Sequence, residues 1–150
     1  DSQMANKYLG ARAKNAYAYR SLLESSAVCA FGSDAPVESV NPFLGIHAAV
    51  TRRKLDGSPS SDGWHPYQRL SLDEAIKGFS QTPAEIANRG DRMGRIAPGF
   101  KADFLILEED PFKIDPNKLS QIKPEATFID GRGVFHSTSL PVALTQALSE

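Results

Sequence analysis

The carboxylate of Asp34 directly follows an apolar run and is the leading candidate for chemistry in this 150-residue chain. The run covers residues 27–32, Ala-Val-Cys-Ala-Phe-Gly, and leads through Ser33 to the aspartate. A continuous apolar run bounded by turn residues is typical of a strand covered on both faces, as in a parallel sheet or barrel. In such barrels the reacting groups lie at the C-terminal ends of the strands. An aspartate here can equally cap a turn by accepting backbone N–H bonds, and the local pattern leaves both interpretations open.

A second set of candidate side chains lies in a long loop. Residues 55–69 are rich in Gly, Ser and Pro and show no period, and loops of this length often carry function. Within them, Trp64, His65 and Tyr67 could line a substrate pocket or could pin the loop to the surface. We assign Trp64 and His65 as candidate substrate-binding residues and keep the packing alternative open.

The remaining residues with metal-ligand or nucleophile chemistry favour structural roles. His47 falls in the middle of a predicted helix and is expected to pack, and His136 ends a predicted strand. Cys29 is the single cysteine, so the chain has no internal disulfide. Its place in the apolar run predicts a buried thiol that behaves as a small hydrophobe.

Helices are predicted on both sides of the apolar run, which is the pattern of an α/β fold. Apolar spacing predicts one helix over residues 11–25. Asn41 and Pro42 provide an N-cap and a first-turn proline for a second helix, which ends near Arg53. Ser71 and Glu74 form a capping-box pattern that opens a third helix. Thr82 followed by Pro83 repeats the device, and Gly90 is expected to end that fourth helix.

The period becomes strand-like beyond Asp91. Residues 95–99 and 102–107 are predicted as strands, and residues 108–116 as an acidic loop. Asp130-Gly131 between two short apolar segments is a strong hairpin signal. Gly94 and Gly99 are expected to permit turns, and Asp103 to make a structural hydrogen bond where its strand begins.

Composition excludes several classes of partner. The 17 Lys and Arg nearly balance the 18 Asp and Glu, so no net field favours nucleic acid or anionic membranes. The one basic cluster, residues 52–54, falls at a predicted helix C-terminus, where the helix dipole accounts for it. No apolar stretch approaches the roughly 20 residues of a membrane span, and we expect no membrane partner. Because the single cysteine forms no internal disulfide, the compartment stays open, with a cytoplasmic location favoured.

Two segments read together resemble the amidohydrolase superfamily, in its family 3 or YtcJ-like branch. They are residues 31–37, Phe-Gly-Ser-Asp-Ala-Pro-Val, and residues 93–107, Met-Gly-Arg-Ile-Ala-Pro-Gly-Phe-Lys-Ala-Asp-Phe-Leu-Ile-Leu. Between them, residues 70–75 and 82–84 are similar to that family's linker helices in the same order. The resemblance covers roughly residues 8–136.

The resemblance implies a metal-dependent hydrolase of the α/β class, built as a (β/α)8 barrel with a small composite β-sandwich. Residues 1–92 would be the C-terminal portion of the barrel, with its last strand at 27–33, residues 93–136 a portion of the sandwich, and residues 137–150 a tail. Asp34 would match the family's aspartate that ligates or faces a divalent metal, usually zinc, and shuttles the proton from water to the leaving nitrogen. The implied substrate is a small molecule with an amide, formamide or cyclic imide C–N bond.

The resemblance also implies that most of this metal site lies elsewhere. A catalytic zinc needs about three protein ligands, and none of the three histidines shows the His-X-His spacing of the family's first strand. A full barrel takes about 250 residues, and this chain starts at Asp1, so we expect a C-terminal fragment of a longer enzyme. By itself it should bind no zinc tightly, be inactive, and associate with itself or with the missing N-terminal part of the barrel. A non-catalytic regulatory or binding module on the same scaffold is the alternative.

Overall fold

The computed structural model of the chain describes residues 2–138, which contain five α-helices and three β-strands. The helices are α1 (Ser2–Leu9), α2 (Tyr19–Glu24), α3 (Pro42–Thr51), α4 (Leu72–Phe79) and α5 (Gln81–Ile86). The strands are β1 (Phe104–Leu107), β2 (Pro124–Ile129) and β3 (Arg132–His136). Short 3₁₀ segments lie at Gly10–Asn15, Pro66–Gln68 and Pro116–Gln121. No helix within residues 2–138 combines the length and the apolar character that crossing a membrane requires.

Helices α3 and α4 begin where their capping signals predict. The Asn41 side chain accepts a hydrogen bond from the Phe43 backbone N at 3.0 Å, and Pro42 occupies the first turn. At α4 the capping box is complete, because Ser71 Oγ accepts from the Glu74 backbone N and the Glu74 carboxylate accepts from the Ser71 backbone N. Helix α3 ends at Thr51, and Arg52 follows it in the left-handed region with φ 57°.

One helix prediction is wrong, and another is confirmed except for its cap and first residue. Residues 11–25 do not form one helix, because the chain turns around Tyr17 at φ 52° between a 3₁₀ segment and α2. Tertiary contacts at that residue favour the turn over helical propensity, since the Tyr17 carbonyl accepts a hydrogen bond from Arg52 and its ring packs against Trp64. Helix α5 begins at Gln81 directly after α4, so Thr82 does not cap it, and it ends at Ile86, before Gly90.

The three strands form one antiparallel sheet in the order β1-β2-β3. The Asp130-Gly131 hairpin is confirmed, with φ 53° and 77° at the two turn residues, as a type I′ turn requires. The Asp103 side chain accepts a hydrogen bond from the Asp130 backbone N at 2.7 Å, which confirms its structural role. Residues 95–99 form no strand; the chain bends at Gly94 before this segment and turns at Gly99 at its end, with φ 91° and 85°.

The segment 27–33, predicted as a buried strand, lies outside every helix and strand of the described residues. A strand needs the backbone of a neighbouring strand to satisfy its N–H and C=O groups. No strand lies beside this segment in the described residues, and Val28 is 68% exposed. Of the predicted tail, residues 139–150 lie outside the described residues.

The principal core lies between the helices and the 3₁₀ segment that precedes β2. Its buried members come from α3, from α4 and from the stretch Leu119–Ile122: Phe43, Ile46, Ala75, Leu119 and Ile122. A second cluster joins α1 and the first 3₁₀ segment to Trp64, and a third lies on one face of the sheet. The first cluster includes α3, the helix that follows residues 27–34, and it packs α3 against α4.

Candidate functional site

Asp34 occupies an exposed turn in the left-handed region, with φ 50°. Backbone groups hold this turn: the Asp34 carbonyl accepts from the Val37 N at 2.9 Å, and the Ser33 carbonyl accepts from the Glu38 N at 3.2 Å. Within residues 2–138, no group donates a hydrogen bond to the Asp34 carboxylate. The side chain therefore does not cap the turn, and it is free to act on a partner from outside these residues.

The segment that presents Asp34 is attached to α4 through Phe31. The Phe31 backbone N donates to the Gly78 carbonyl at 2.8 Å, and the Phe31 ring lies between Tyr19 and Phe79, with ring centroids 5.2 and 5.7 Å away. A cleft of about 240 Å³ separates residues 27–31 from α4 and α5. Cys29 lines this cleft and is half-buried, not fully buried as predicted. Asp34, Trp64 and His65 do not line it.

Trp64 is a packing residue. It is 8% exposed, its Nε1 donates to Asn6 Oδ1 at 3.1 Å, and its ring meets Tyr17 edge-on at 6.0 Å. The Trp64 backbone N donates to the Arg52 carbonyl at 2.8 Å, which fastens the loop to the end of α3. The structure thus supports the pinning interpretation for this side chain.

His65 lies in the left-handed region with φ 48°, and its ring lies beside those of Trp64 and Tyr67 in tilted geometry, with ring centroids 4.3 and 5.6 Å away. Its Nε2 is buried and has no hydrogen-bond partner in the described part of the chain. The structure brings the three aromatic loop residues together with one another, beside the end of α3 at Trp64 and the first 3₁₀ segment at Tyr67. His47 is also buried, and burial lowers its pKa, as expected for a packing histidine.

Sequence reasoning missed the role of Arg52, which organises this loop. Its Nε donates to the Trp64 carbonyl at 3.0 Å and its Nη1 to the Tyr17 carbonyl at 2.9 Å, while its guanidinium lies 5.1 Å from the centre of the Trp64 ring. Burial lowers the pKa of Arg52. The sequence offered one signal, the basic residues at the end of α3. The contacts of Arg52 with Tyr17 and Trp64 depend on the tertiary structure, and that signal does not predict them.

A second missed feature is the ion pair that joins α2 to α4. Arg20 Nη1 donates to Glu74 Oε1 at 2.7 Å, and Nη2 donates to the other carboxylate oxygen. The Arg20 hydrogen bonds, together with those from Ser71, lower the pKa of Glu74 to about 2. Glu74 is committed to this pair and to the helix cap, so it is a structural carboxylate beside the cleft.

The residues 2–138 contain no group of three His, Cys, Asp or Glu side chains that could hold a metal ion. The chemistry of the donor set therefore does not fit a complete zinc site, which needs about three protein ligands. The free carboxylate of Asp34 is suited to supply one ligand or a base beside such a site.

Comparison with known proteins gives consistent similarities. The sequence profile of the amidohydrolase family matches residues 2–135. The chain is 38% identical to the putative amidohydrolase YtcJ of Bacillus subtilis over 127 residues, which are 85% of this chain and 24% of that protein. It is 31% identical to protein LONG AFTER FAR-RED 3 of Arabidopsis thaliana over 138 residues, or 90% and 23% of the two chains. It is 29% identical to the N-substituted formamide deformylase of Arthrobacter pascens over 112 residues, or 75% and 20%.

A solved structure shares the fold of this chain. It is an amidohydrolase from Thermotoga maritima, with a TM-score of 0.60 and 21% identity, covering 81% of this chain and 26% of that one. The chain therefore spans about a quarter of the length of the relatives that it matches.

Proposed function

The chain belongs to the amidohydrolase family, in its YtcJ-like branch, and on that premise we propose that it is the part of a C–N hydrolase that carries the proton-transferring carboxylate, Asp34. The proposed parent is a (β/α)8 barrel to which this chain contributes the C-terminal portion, followed by part of a small β-sandwich. The proposed substrates are small molecules with an amide, formamide or cyclic imide bond, and not peptides.

The observation that carries this proposal is the state of the Asp34 side chain. Its turn is held by backbone hydrogen bonds alone, and its carboxylate is exposed and unpartnered within residues 2–138. A general base must reach the proton that it abstracts and must not be tied up in structural bonds. Glu74, in contrast, is bound on both oxygens and has a pKa of about 2, so it is a poor base.

The names of the relatives support the substrate class. One is a deformylase of N-substituted formamides, another is named as a putative amidohydrolase, and a third, from Kosmotoga olearia, is an imidazolonepropionase that is 28% identical over 79% of this chain. The first two names share the hydrolysis of a C–N bond, and this shared reaction is what they support for the proposal.

In the proposed reaction Asp34 accepts one proton from the attacking water as the new C–O bond forms. It then gives that proton to the nitrogen as the C–N bond breaks, so the carboxylate is regenerated and the amine leaves neutral. A divalent metal such as zinc, when bound in the parent protein, supplies a water whose pKa is about 7. The residues 2–138 do not complete such a site, so Asp34 is the one residue of this chain that we assign to it.

A non-catalytic regulatory or binding module is the second candidate. One observation favours it: the Arabidopsis relative, which matches 90% of this chain, has a name that states no reaction. The two candidates differ in whether the parent protein holds a metal and hydrolyses C–N bonds.

The deciding experiment assays the full-length protein, with zinc supplied, against an N-substituted formamide, a simple amide and a cyclic imide. We expect hydrolysis in at least one class, loss of that activity on chelation, and its return with added metal. If the folded, metal-replete protein hydrolyses none of these substrates, the proposed hydrolase function is overturned and the non-catalytic module is favoured. The 150-residue chain is the control, for which we expect neither activity nor stoichiometric zinc.

A further inference from the structure

Phe31 lies three residues before Asp34 and packs directly onto the backbone of Gly78 in α4. We propose that this Phe31–Gly78 contact positions Asp34, so that Gly78 is a positioning residue for the hydrolysis proposed above, on which this inference rests. Gly78 itself touches no reacting atom; it acts by fixing where Phe31 lies.

The contact fixes both the backbone and the side chain of Phe31. The Phe31 N donates to the Gly78 carbonyl at 2.8 Å. Its ring is flanked by Tyr19 at 5.2 Å and by Phe79 at 5.7 Å, both in tilted or edge-on geometry. The ring is therefore enclosed on two sides, and it has little freedom to move away from α4.

Only glycine leaves room for this arrangement. A Cβ placed on Gly78 would lie 2.3 Å from Cδ2 and 2.5 Å from Cε2 of Phe31, well inside van der Waals contact. Gly78 is buried within α4, where alanine has the better helix propensity. Glycine is thus disfavoured at this position by helix propensity, but it permits the close approach of the Phe31 ring to α4.

The position of Asp34 follows from the position of Phe31. Three residues span at most about 10 Å, so a shift of the phenylalanine is passed along a short connection. The turn beyond Asp34 is closed by the Val37 N and Glu38 N hydrogen bonds, which make it a compact unit. A misplacement of about 1 Å at a catalytic group can lower the rate about 100-fold.

The test compares Gly78→Ala with Gly45→Ala in the full-length protein. Gly45 is a matched control, because its Cβ would meet Cζ of Phe79 at 2.5 Å, in the same aromatic group but one ring further from Asp34. We expect Gly78→Ala to lower kcat about 10- to 100-fold with KM nearly unchanged, and Gly45→Ala, which reaches Phe31 only through Phe79, to lower kcat much less.

Two further readouts separate positioning from general damage. Hydrogen exchange at the Phe31 amide should become faster in Gly78→Ala and not in Gly45→Ala. Adding Phe31→Leu to Gly78→Ala removes ring atoms from the clash and should restore part of the lost kcat, a coupling that independent sites do not show. If Gly78→Ala does not fold, the single variant Phe31→Leu tests the positioning role instead. We expect it to lower kcat and to leave KM unchanged.

Equal effects of the two alanine variants on kcat, or an effect of Gly78→Ala on KM alone, would overturn the positioning role. The proposed function would survive that result if Asp34→Asn is inactive. Full turnover by Asp34→Asn would instead overturn the proposed function, and this inference with it.

Discussion

At the scale of single residues, the carboxylates of this chain differ in what they are bonded to. Glu74 accepts hydrogen bonds from Arg20 and Ser71, and Asp103 accepts one from the Asp130 backbone. Asp73 pairs with Lys77 on the exposed face of α4. Asp34 has no such partner within residues 2–138, and among these four carboxylates it alone follows the 27–32 run and lies in the 31–37 segment that resembles the family's motif.

The Arg20–Glu74 pair predicts a specific dependence of stability on pH. The folded-state pKa of Glu74 is lowered from 4.5 to about 2, so the stabilisation is fully present above pH 4.5 and is lost as the pH falls toward 2. Glu74→Gln keeps a capping-box side chain but removes the charge. We expect it to lower the free energy of unfolding by about 1 kcal/mol at pH 7, and by progressively less below pH 4.5.

Urea unfolding followed by the fluorescence of Trp64, the single tryptophan, measures this difference. Asp73→Asn is the control: its pair with Lys77 is more than half exposed, so its removal should change stability little. A Glu74→Gln deficit that stays constant from pH 7 to pH 3 would contradict the account.

The sequence predicted the site only as far as local signals reach. An apolar run, a turn and a carboxylate that follow one another made Asp34 a candidate, and the family resemblance gave that candidate its expected role. The Phe31–Gly78 contact and the contacts of Arg52 with Tyr17 and Trp64 join positions far apart in the chain. Single-sequence patterns carry no information on which distant residues meet, so those contacts could not be predicted.

At the scale of elements, the same distinction explains which predictions succeeded. Asn41 and the Ser71–Glu74 capping box are local devices, and the helices that they open begin where expected. The Asp130-Gly131 turn is local too. The strand at 27–33 failed because a strand is completed by neighbours, which the described residues do not provide. The 11–25 helix failed because Tyr17 makes tertiary contacts that require a turn.

The hairpin gives a prediction at this scale. Gly131 has φ 77°, and a Cβ added there would lie 3.8 Å from the Ala102 Cβ. There is room for a side chain, so only the left-handed backbone conformation disfavours one. We expect Gly131→Ala to lower the free energy of unfolding by about 1 kcal/mol. Gly32→Ala is the matched control, since a Cβ there meets nothing within 4 Å and no left-handed φ is involved.

Thermal unfolding of the two variants beside the parent chain checks this prediction. The control should be neutral or slightly stabilising, because alanine restricts the unfolded chain. A Gly131→Ala variant as stable as Gly32→Ala would show that the turn does not need the left-handed conformation.

At the scale of the whole molecule, the chain leaves apolar surface uncovered. Leu105, Thr127 and Phe135 are register partners across the three strands and so lie on one face of the sheet. Leu105 and Phe135 are 43% and 48% exposed, and Val28 beside the cleft is 68% exposed. Apolar side chains grouped on one surface favour association.

We therefore expect the 150-residue chain, prepared alone, to self-associate at micromolar concentration. Light scattering over a dilution series measures this, and Leu105→Lys with Phe135→Lys should shift the chain toward monomer. The matched control is Ile96→Lys, an 83% exposed residue outside the sheet. A parent chain that is monomeric throughout the series would contradict the prediction.

The central claim is that Asp34 moves the proton in the hydrolysis of a C–N bond. Its most direct test is the kcat of Asp34→Asn in the full-length, metal-replete protein, measured on a substrate that the parent protein hydrolyses. Because the side chain is exposed and unpartnered within residues 2–138, the variant should keep its fold and melting temperature while kcat falls by about 100-fold or more. A folded Asp34→Asn variant that retains the kcat of the parent protein would contradict the account.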